Sequence, residues 1–515
     1  MPNDPQPPVA EGSRRNARPL AAVLVVLVLV GVALRFCYLG GPSFHPDETY
    51  PVALIERYRA TGDLDMNLAN APMPGGQSGD QYAGSAYHRA VIAWDILLRR
   101  AAGWPREGSP EATLIRTRAF SALMASLALA VFARLAWREA GFVAAAVAVA
   151  LAAVNPLLIQ DAHFARPDSL LLLLALLYLG LCGASGPLSL RRAAWLGVLL
   201  GALVACKNTM GLLLPLPFLA LASRGGLRRE AAGALALYLG ATALAFLAAE
   251  PESWLHFGKF MTGLHTLSAQ YAQPFPAQGP IDGGTTFGMA ARYFYATLGA
   301  ATLLLVVGGI ALWMLRGARL ALVVWILPAV VFGLFFGSRT NFFERSYGTF
   351  LPGVFLAAGV GAAWIASFRN SGRWFAAALA AVAVLPGASV TYVLVDDALS
   401  GRAEAIHQAY AHRLRLAAAP VPVVNTWLCA PAQLEICLRL AKDIHGPFIL
   451  AVGDFGDDWT ARSLRQLRAA LPVTQIAVLR GPFADLPMSS LQCYNGPTFR
   501  YLWIGSARPP PLPVP

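Results

Sequence analysis

The stretch SFHPDETYP, residues 43–51, follows a long apolar run and sets an imidazole, two adjacent carboxylates and two prolines side by side. Asp47 and Glu48 can take a proton from a hydroxyl. They can equally open a helix, because Pro46 followed by two acids suits a first turn whose free N–H groups and positive dipole end attract carboxylates. Pro51 argues against that second use, since a helix begun at Pro46 meets another proline one turn later. Other reactive side chains recur at the ends of apolar runs. Arg35 closes the run before the acidic pair, QDAHFARPDSLL carries Asp161, His163, Arg166 and Asp168, and SRTNFFERSYG carries Arg339, Glu344, Arg345 and Tyr347. Lys207 lies in CKNTMG between two short apolar runs. A carboxylate placed among fixed cations can deprotonate a nucleophile while an anionic group is held beside it.

The chain that must position these groups has 515 residues, 57% hydrophobic and 13% charged, against roughly 25% charged in soluble domains. This composition predicts a polytopic α-helical membrane protein. The net charge of +12 does not indicate a nucleic-acid partner, because the arginines fall in small clusters between apolar runs rather than along one face. A span needs about 20 mostly apolar residues, which predicts about 11 transmembrane helices near 20–38, 114–135, 141–158, 169–185, 193–206, 209–222, 231–249, 291–314, 320–337, 348–366 and 374–393. Every second junction is basic, from Arg14, Arg15 and Arg18 through Arg134 and Arg138, Arg191 and Arg192, Arg224, Arg228 and Arg229, and Arg316 and Arg319 to Arg369 and Arg373. By the positive-inside rule those junctions face the cytoplasm.

The alternate junctions, 39–113, 159–168, 250–290, 338–347 and everything after 394, are then external. The acidic pair and most of the reactive residues share that side. The hairpin 193–222 is too short to cross twice, so its turn at Lys207 is expected to stop inside the membrane, where a buried charge marks a site. The loop 250–290 is expected either to cover the site as a lid or to lie in the headgroups as an amphipathic helix. Beyond 394, the runs VPVVNTW, FILAVGDF, TQIAVLRG and RYLWIGS alternate with helical stretches at 398–417 and 459–470. They predict a soluble α/β domain over 394–507. Residues 1–19 and the Pro-rich tail 508–515 are expected to be disordered. Cys429, Cys437 and Cys493 leave room for one disulfide in that domain.

FHPDE after the first helix, ARPDSLLLLLALL opening the fourth, GALVACKNTMGLLLPLP and ERSYGTFLPGVFLAAG together resemble the GT-C membrane glycosyltransferases. The group resembled is the glycosyltransferase family 39-like superfamily of protein mannosyltransferases and aminoarabinose transferases, over residues 20–393. The resemblance implies an inverting transfer of a sugar from a polyprenyl-phosphate donor to the hydroxyl of a lipid, glycan or protein, on the outer face of the cell (inner) membrane. It implies Asp47 as base; by the residue types on the same side, Glu48 is expected beside it, and Arg35, Arg166, Asp168, Lys207, Arg345 and Tyr347 around the lipid phosphate. Arg35 and Arg345 can instead snorkel to headgroups, and Arg166 and Asp168 can form a local structural pair. His45 and His163 leave a divalent metal open, with no diagnostic ligand spacing. The chain departs from the family after GDLDMNLAN, where a Gly-rich insertion replaces the usual proline-containing motif. Acceptor identity therefore does not carry over. The alternative, a transporter or flippase for a lipid-linked or anionic solute, normally shows internal repeats and polar breaks at the membrane midplane, and no repeat is found.

Overall fold

The computed structural model describes residues 13–41, 45–70, 79–82, 84–103, 109–224, 231–272, 285–400, 402–417, 422–427, 438–439, 444, 446–454, 458–484, 498–506 and 509. Residues 1–12, nearly all of the tail from 508 and the three cysteines at 429, 437 and 493 lie outside the described residues. The chain is mostly helical. Helix α1 (Ser13–Phe36) is followed by a short 3-10 turn, Pro46–Glu48, and then by α2 (Thr49–Thr61) and α3 (Ser85–Ala102). The segment expected as an external loop is thus largely helix. Asp95 on α3, 2% exposed, is gripped by Arg59 of α2 at 2.5 Å, by Arg99 at 2.9 Å and by Arg116 at 3.2 Å. This ties α2 and α3 to the next helix, which carries Arg116.

That helix, α4 (Pro110–Ala153), starts at Ser109, whose side chain accepts a hydrogen bond from the Ala112 N–H. It is broken at Gly141, with φ 78° and ψ 179°. An L-residue avoids positive φ and glycine does not, so the apolar stretch divides near the cytoplasmic turn expected from its arginines. α5 (Pro156–His163) and α6 (Asp168–Gly183) then meet at a 120° bend, and the turn between them holds Arg166. α7 (Leu190–Cys206) and α8 (Leu216–Ala222) form the short hairpin, with Lys207 extended at φ −157°, ψ 110°. α9 (Ala231–Ala249), α10 (Glu252–Leu255), α11 (Phe257–Ala272), α12 (Phe287–Leu315), α13 (Arg319–Ala321) and α14 (Leu327–Gly337) follow. α15 (Arg345–Gly348), α16 (Leu351–Ala366) and α17 (Arg369–Ser400) complete the membrane region.

Among the described residues, five helices are long and apolar enough to cross a membrane, and the bent pair α5–α6 makes a sixth if counted as one span. The expected spans at 20–38, 209–222 and 348–366 are present as shorter apolar helices. α16 lies at the centre, buried from Phe355 to Ala362. Its glycines allow backbones to touch: a Cβ at Gly359 would collide with the Ala144 carbonyl of α4, and one at Gly361 with the Leu305 carbonyl of α12. Between helices that share lipid as their surroundings, such close approach of small residues provides much of the attraction.

After α18 (Arg402–Ala417) the chain forms β1 (Val423–Trp427), β2 (Phe448–Asp454), α19 (Asp458–Ala470), β3 (Val473–Leu479) and β4 (Thr498–Ile504). The sheet order is β1-β2-β4-β3, with β1 parallel to β2 and the other pairs antiparallel. Side chains alternate between two faces along a strand. Ile449, Ala451, Tyr501 and Trp503 pack with Tyr410 and Leu414 of α18, while Leu450, Val452, Leu502 and Ile504 pack with Leu464 and Leu467 of α19. Strands covered on both faces read as continuous apolar runs, which is why these segments stood out in the sequence.

Candidate active site

The turn Pro46–Glu48 sends its two acids in different directions. Glu48 is 0% exposed. Its carboxylate accepts a fork from Arg118 of α4, Nε to Oε1 at 2.8 Å and Nη2 to Oε2 at 2.7 Å. It also accepts the His45 N–H at 2.9 Å and the Ala165 N–H at 2.7 Å. One buried carboxylate thus joins the turn before α2 to the turn before α6. Asp47, by contrast, faces a cavity of about 550 Å³ with its side chain 37% exposed.

Arg166, Asp168, Lys207, Arg339 and Arg345 line the same cavity. Arg345 Nη1 bonds Asp47 Oδ2 directly. Arg166, fully buried, donates to Asp161 Oδ1 at 2.6 Å, lies 3.7 Å from Asp168 Oδ2 and stacks its guanidinium over Phe164. Lys207 Nζ lies 3.5 Å from Asp168 Oδ1. Four cations against two carboxylates leave the lining with an excess of positive charge. Burial alone would raise the Asp47 carboxyl, but the Arg345 guanidinium outweighs it and holds the group well below the ordinary carboxylate range. His45 is pushed well below its ordinary value by burial, only partly opposed by Asp47.

The remaining walls are polar but neutral, or apolar. Tyr87 and His88 come from α3, Asn208 and Thr209 from the hairpin turn, and Thr266, Ser268 and Tyr271 from α11. Burial pushes His88 down to about 4, which leaves it neutral. Within the segment 250–290, expected as a lid or interfacial helix, one face of α11 closes the cavity while Trp254 of α10 and Phe257 and Met261 of α11 stay exposed. Beyond Phe335 and Phe336 lies a second, almost wholly apolar groove of about 430 Å³, lined by Phe287, Phe294, Phe332, Tyr347, Phe350 and Leu351 among others.

Several expected site residues lie elsewhere. Arg35 is buried at the end of α1, where it donates to the carbonyls of Ala152 at 3.0 Å and Ala153 at 3.3 Å. It satisfies the exposed carbonyl end of α4 rather than reaching the cavity. Tyr347 packs on Phe294, Phe336 and Phe342 and lines the apolar groove, not the cavity that holds the cations. His163 bonds the Leu34 carbonyl at 3.0 Å, on the side of α1. His45 and His163 do not share a ligand set, and among the described residues no three His, Cys, Asp or Glu side chains are placed to hold a metal ion. The sequence reading missed Arg118. The signal was available, because Arg118 opens an apolar run just after Arg116, and an arginine inside such a run is costly unless paired.

Residues 110–338, less than half of the chain, match the profile of glycosyltransferase family 87. The match is to family 87, not to the family 39-like group that the motifs resemble. The matched segment contains Arg118, Arg166, Asp168, Lys207 and α11, but neither Asp47 nor Arg345. No curated protein matches the chain. Among solved structures, ArnT from Cupriavidus metallidurans in the apo state is 15% identical, over 93% of this chain and 98% of that one, with a TM-score of 0.48. The Archaeoglobus fulgidus oligosaccharyltransferase in its apo form is 14% identical over 74% of this chain and 56% of that one, TM-score 0.49. The arabinofuranosyltransferase AftD from Mycobacteria is 15% identical over 94% and 40%, TM-score 0.47. At these values the likeness assigns no residue role and no substrate to this chain.

Proposed function

We propose that the protein moves a sugar from a polyprenyl-phosphate carrier to an acceptor hydroxyl, with inversion, on the external face of the cell (inner) membrane, and that Asp47 is the base. The observation that carries this reading is the single cavity in which the Asp47 carboxylate stands among Arg166, Lys207, Arg339 and Arg345. Asp47 takes the acceptor proton as the acceptor oxygen forms its bond to the anomeric carbon. The bond from that carbon to the phosphate oxygen breaks on the opposite face, and the phosphate leaves with the electron pair, its charge met by the cations. The apolar groove beyond Phe335 and Phe336 suits a prenyl tail, which loses favourable burial if it leaves an apolar setting. Glu48 positions Asp47 rather than reacting. The C-terminal α/β domain serves on the external side as a cap or acceptor-docking module. Membranes carrying the wild type or Asp47→Asn are incubated with radiolabelled polyprenyl-phosphate sugars, and label is followed into lipid, glycan and protein. Loss of a general base typically lowers the rate about 10²- to 10⁴-fold. Transfer unchanged by Asp47→Asn removes Asp47 from the chemistry, and a cysteine at position 47 reachable only from the cytoplasm reverses the orientation.

A further inference from the structure

We propose that the guanidinium of Arg345 is handed from Asp47 to the donor phosphate, so that donor binding releases the base that the transfer then uses. The inference rests on the lipid-linked-donor reading above. Among the described residues, Arg345 is the one cation lining the cavity that bonds Asp47 directly. The others are held differently: Arg166 is fully buried and committed to Asp161 and Asp168, Lys207 lies against Asp168, and Arg339 stacks its guanidinium over Phe335. Arg345 has freedom that Arg166 lacks, being 22% exposed at the first position of the short helix α15. A phosphate offers a guanidinium fork two oxygens at once, a strong charge-assisted contact, and the Asp47 carboxylate is bonded through one oxygen only.

The other groups near Asp47 cannot replace Arg345 as its counter-ion. His45 lies 3.9 Å from Oδ2, but its Nδ1 accepts the Asp47 N–H at 3.1 Å and burial keeps it neutral. Arg166 faces His45 Nε2 at 3.3 Å, Asp168 adds negative charge, and Tyr50 is a neutral phenol. A carboxylate paired to a guanidinium has little affinity for a proton. Once Arg345 turns to the phosphate, Asp47 becomes a stronger base while the leaving group gains its stabilising charge. An order follows: the donor must be in place before the acceptor hydroxyl can be deprotonated.

The test is the binding of a radiolabelled polyprenyl phosphate, which has no sugar to transfer, to the detergent-solubilised full chain. Wild type, D47N, R345Q and the double variant are compared, each with its thermal unfolding midpoint measured. The proposal expects D47N to bind about tenfold tighter, equivalent to roughly 1.4 kcal/mol, because Arg345 no longer has to be drawn from its partner. R345Q binds more weakly, and adding D47N to R345Q changes the affinity less than about twofold, within the error of additivity. A D47N gain that persists in the R345Q background reports simple carboxylate–phosphate repulsion and overturns the handover. A D47N variant that binds no tighter than wild type overturns it too. If R345Q does not fold, R345K completes the cycle, with the D47N gain reduced because the fork is lost. Failure of the wild type itself to bind the lipid phosphate overturns the donor reading instead.

Discussion

Arg118→Met separates the positioning of the site from its chemistry, because Arg118 touches neither the cavity nor any substrate placed in it. In the wild type, Glu48 has no exposed surface and its two oxygens receive four donors, two from Arg118 and one each from the His45 and Ala165 backbones. Methionine fills similar space but removes the fork, leaving a buried carboxylate with two backbone donors. Breaking a buried pair from one side costs about 3–5 kcal/mol, a large share of a typical stability of roughly 5–15 kcal/mol. The unfolding midpoint should therefore drop clearly. The turns carrying Asp47 and Arg166 also lose their common anchor, and a misplacement of about 1 Å can cost roughly 10²-fold in rate. The assay is sugar transfer per folded molecule, at a temperature well below the variant's midpoint. Glu48→Gln with Arg118→Met removes both charges, so it should recover part of the midpoint without recovering transfer. If Arg118→Met keeps both its midpoint and its rate, the clamp does not exist as described. If the rate falls only as far as the folded fraction falls, Arg118 stabilises the protein without placing Asp47.

Arg35→Gln should lower the unfolding midpoint, consistent with about 1–3 kcal/mol for carbonyls left unsatisfied, while the KM for the donor stays unchanged, as measured by transfer kinetics. Tyr347→Phe should leave polyprenyl-phosphate affinity within about twofold of wild type, because the ring lines the apolar groove and not the cavity that holds the cations; a larger loss in a binding assay would return Tyr347 to the phosphate site. Glu250, fully buried after α9, accepts the Ser85 N–H and hydroxyl at 2.8 Å each, and burial raises its carboxyl to about 7. A carboxyl raised above its unfolded value favours the fold most below the unfolded value, and that contribution is lost as pH rises through the folded one. The wild-type midpoint should accordingly fall between about pH 5 and pH 8 by more than that of Glu250→Gln, as followed by thermal scans across that range.

The parts of the fold legible in the sequence were those governed by local pattern. The four strands and two flanking helices beyond residue 394 lie where their apolar runs indicated, and β2 and β4 are covered on both faces. Lys207 marked its own turn, since a lysine between two short apolar runs has few places to go, and that turn lines the cavity. Contacts between distant segments left no such trace. Arg35 looked like a site residue because it stands at the same membrane side as Asp47, yet apart from the Gly31 carbonyl of its own helix its partners are carbonyls 117 and 118 residues away. Tyr347 follows Arg345 by two positions but faces the other side of α15, towards the phenylalanines of α12 and α14. Proximity in sequence and a shared membrane face are necessary for membership of a site, but neither decides which way a side chain points.

The acidic pair makes the same argument at a smaller scale. In an α-helix neighbouring side chains diverge by about 100°, and in a 3-10 turn by about 120°. The two adjacent acids in the turn Pro46–Glu48 accordingly point in different directions, and only Asp47 lines the cavity. One of them must enter the protein, and a buried carboxylate survives there only with a full set of donors. Glu48 has that set, gathered from α4, from the turn before α6 and from His45. The spacing that looked like a catalytic dyad instead divides the work. Glu48 fixes the turn from inside the bundle, and because it does so, Asp47 is left facing the cations with one oxygen engaged and the other open to the cavity.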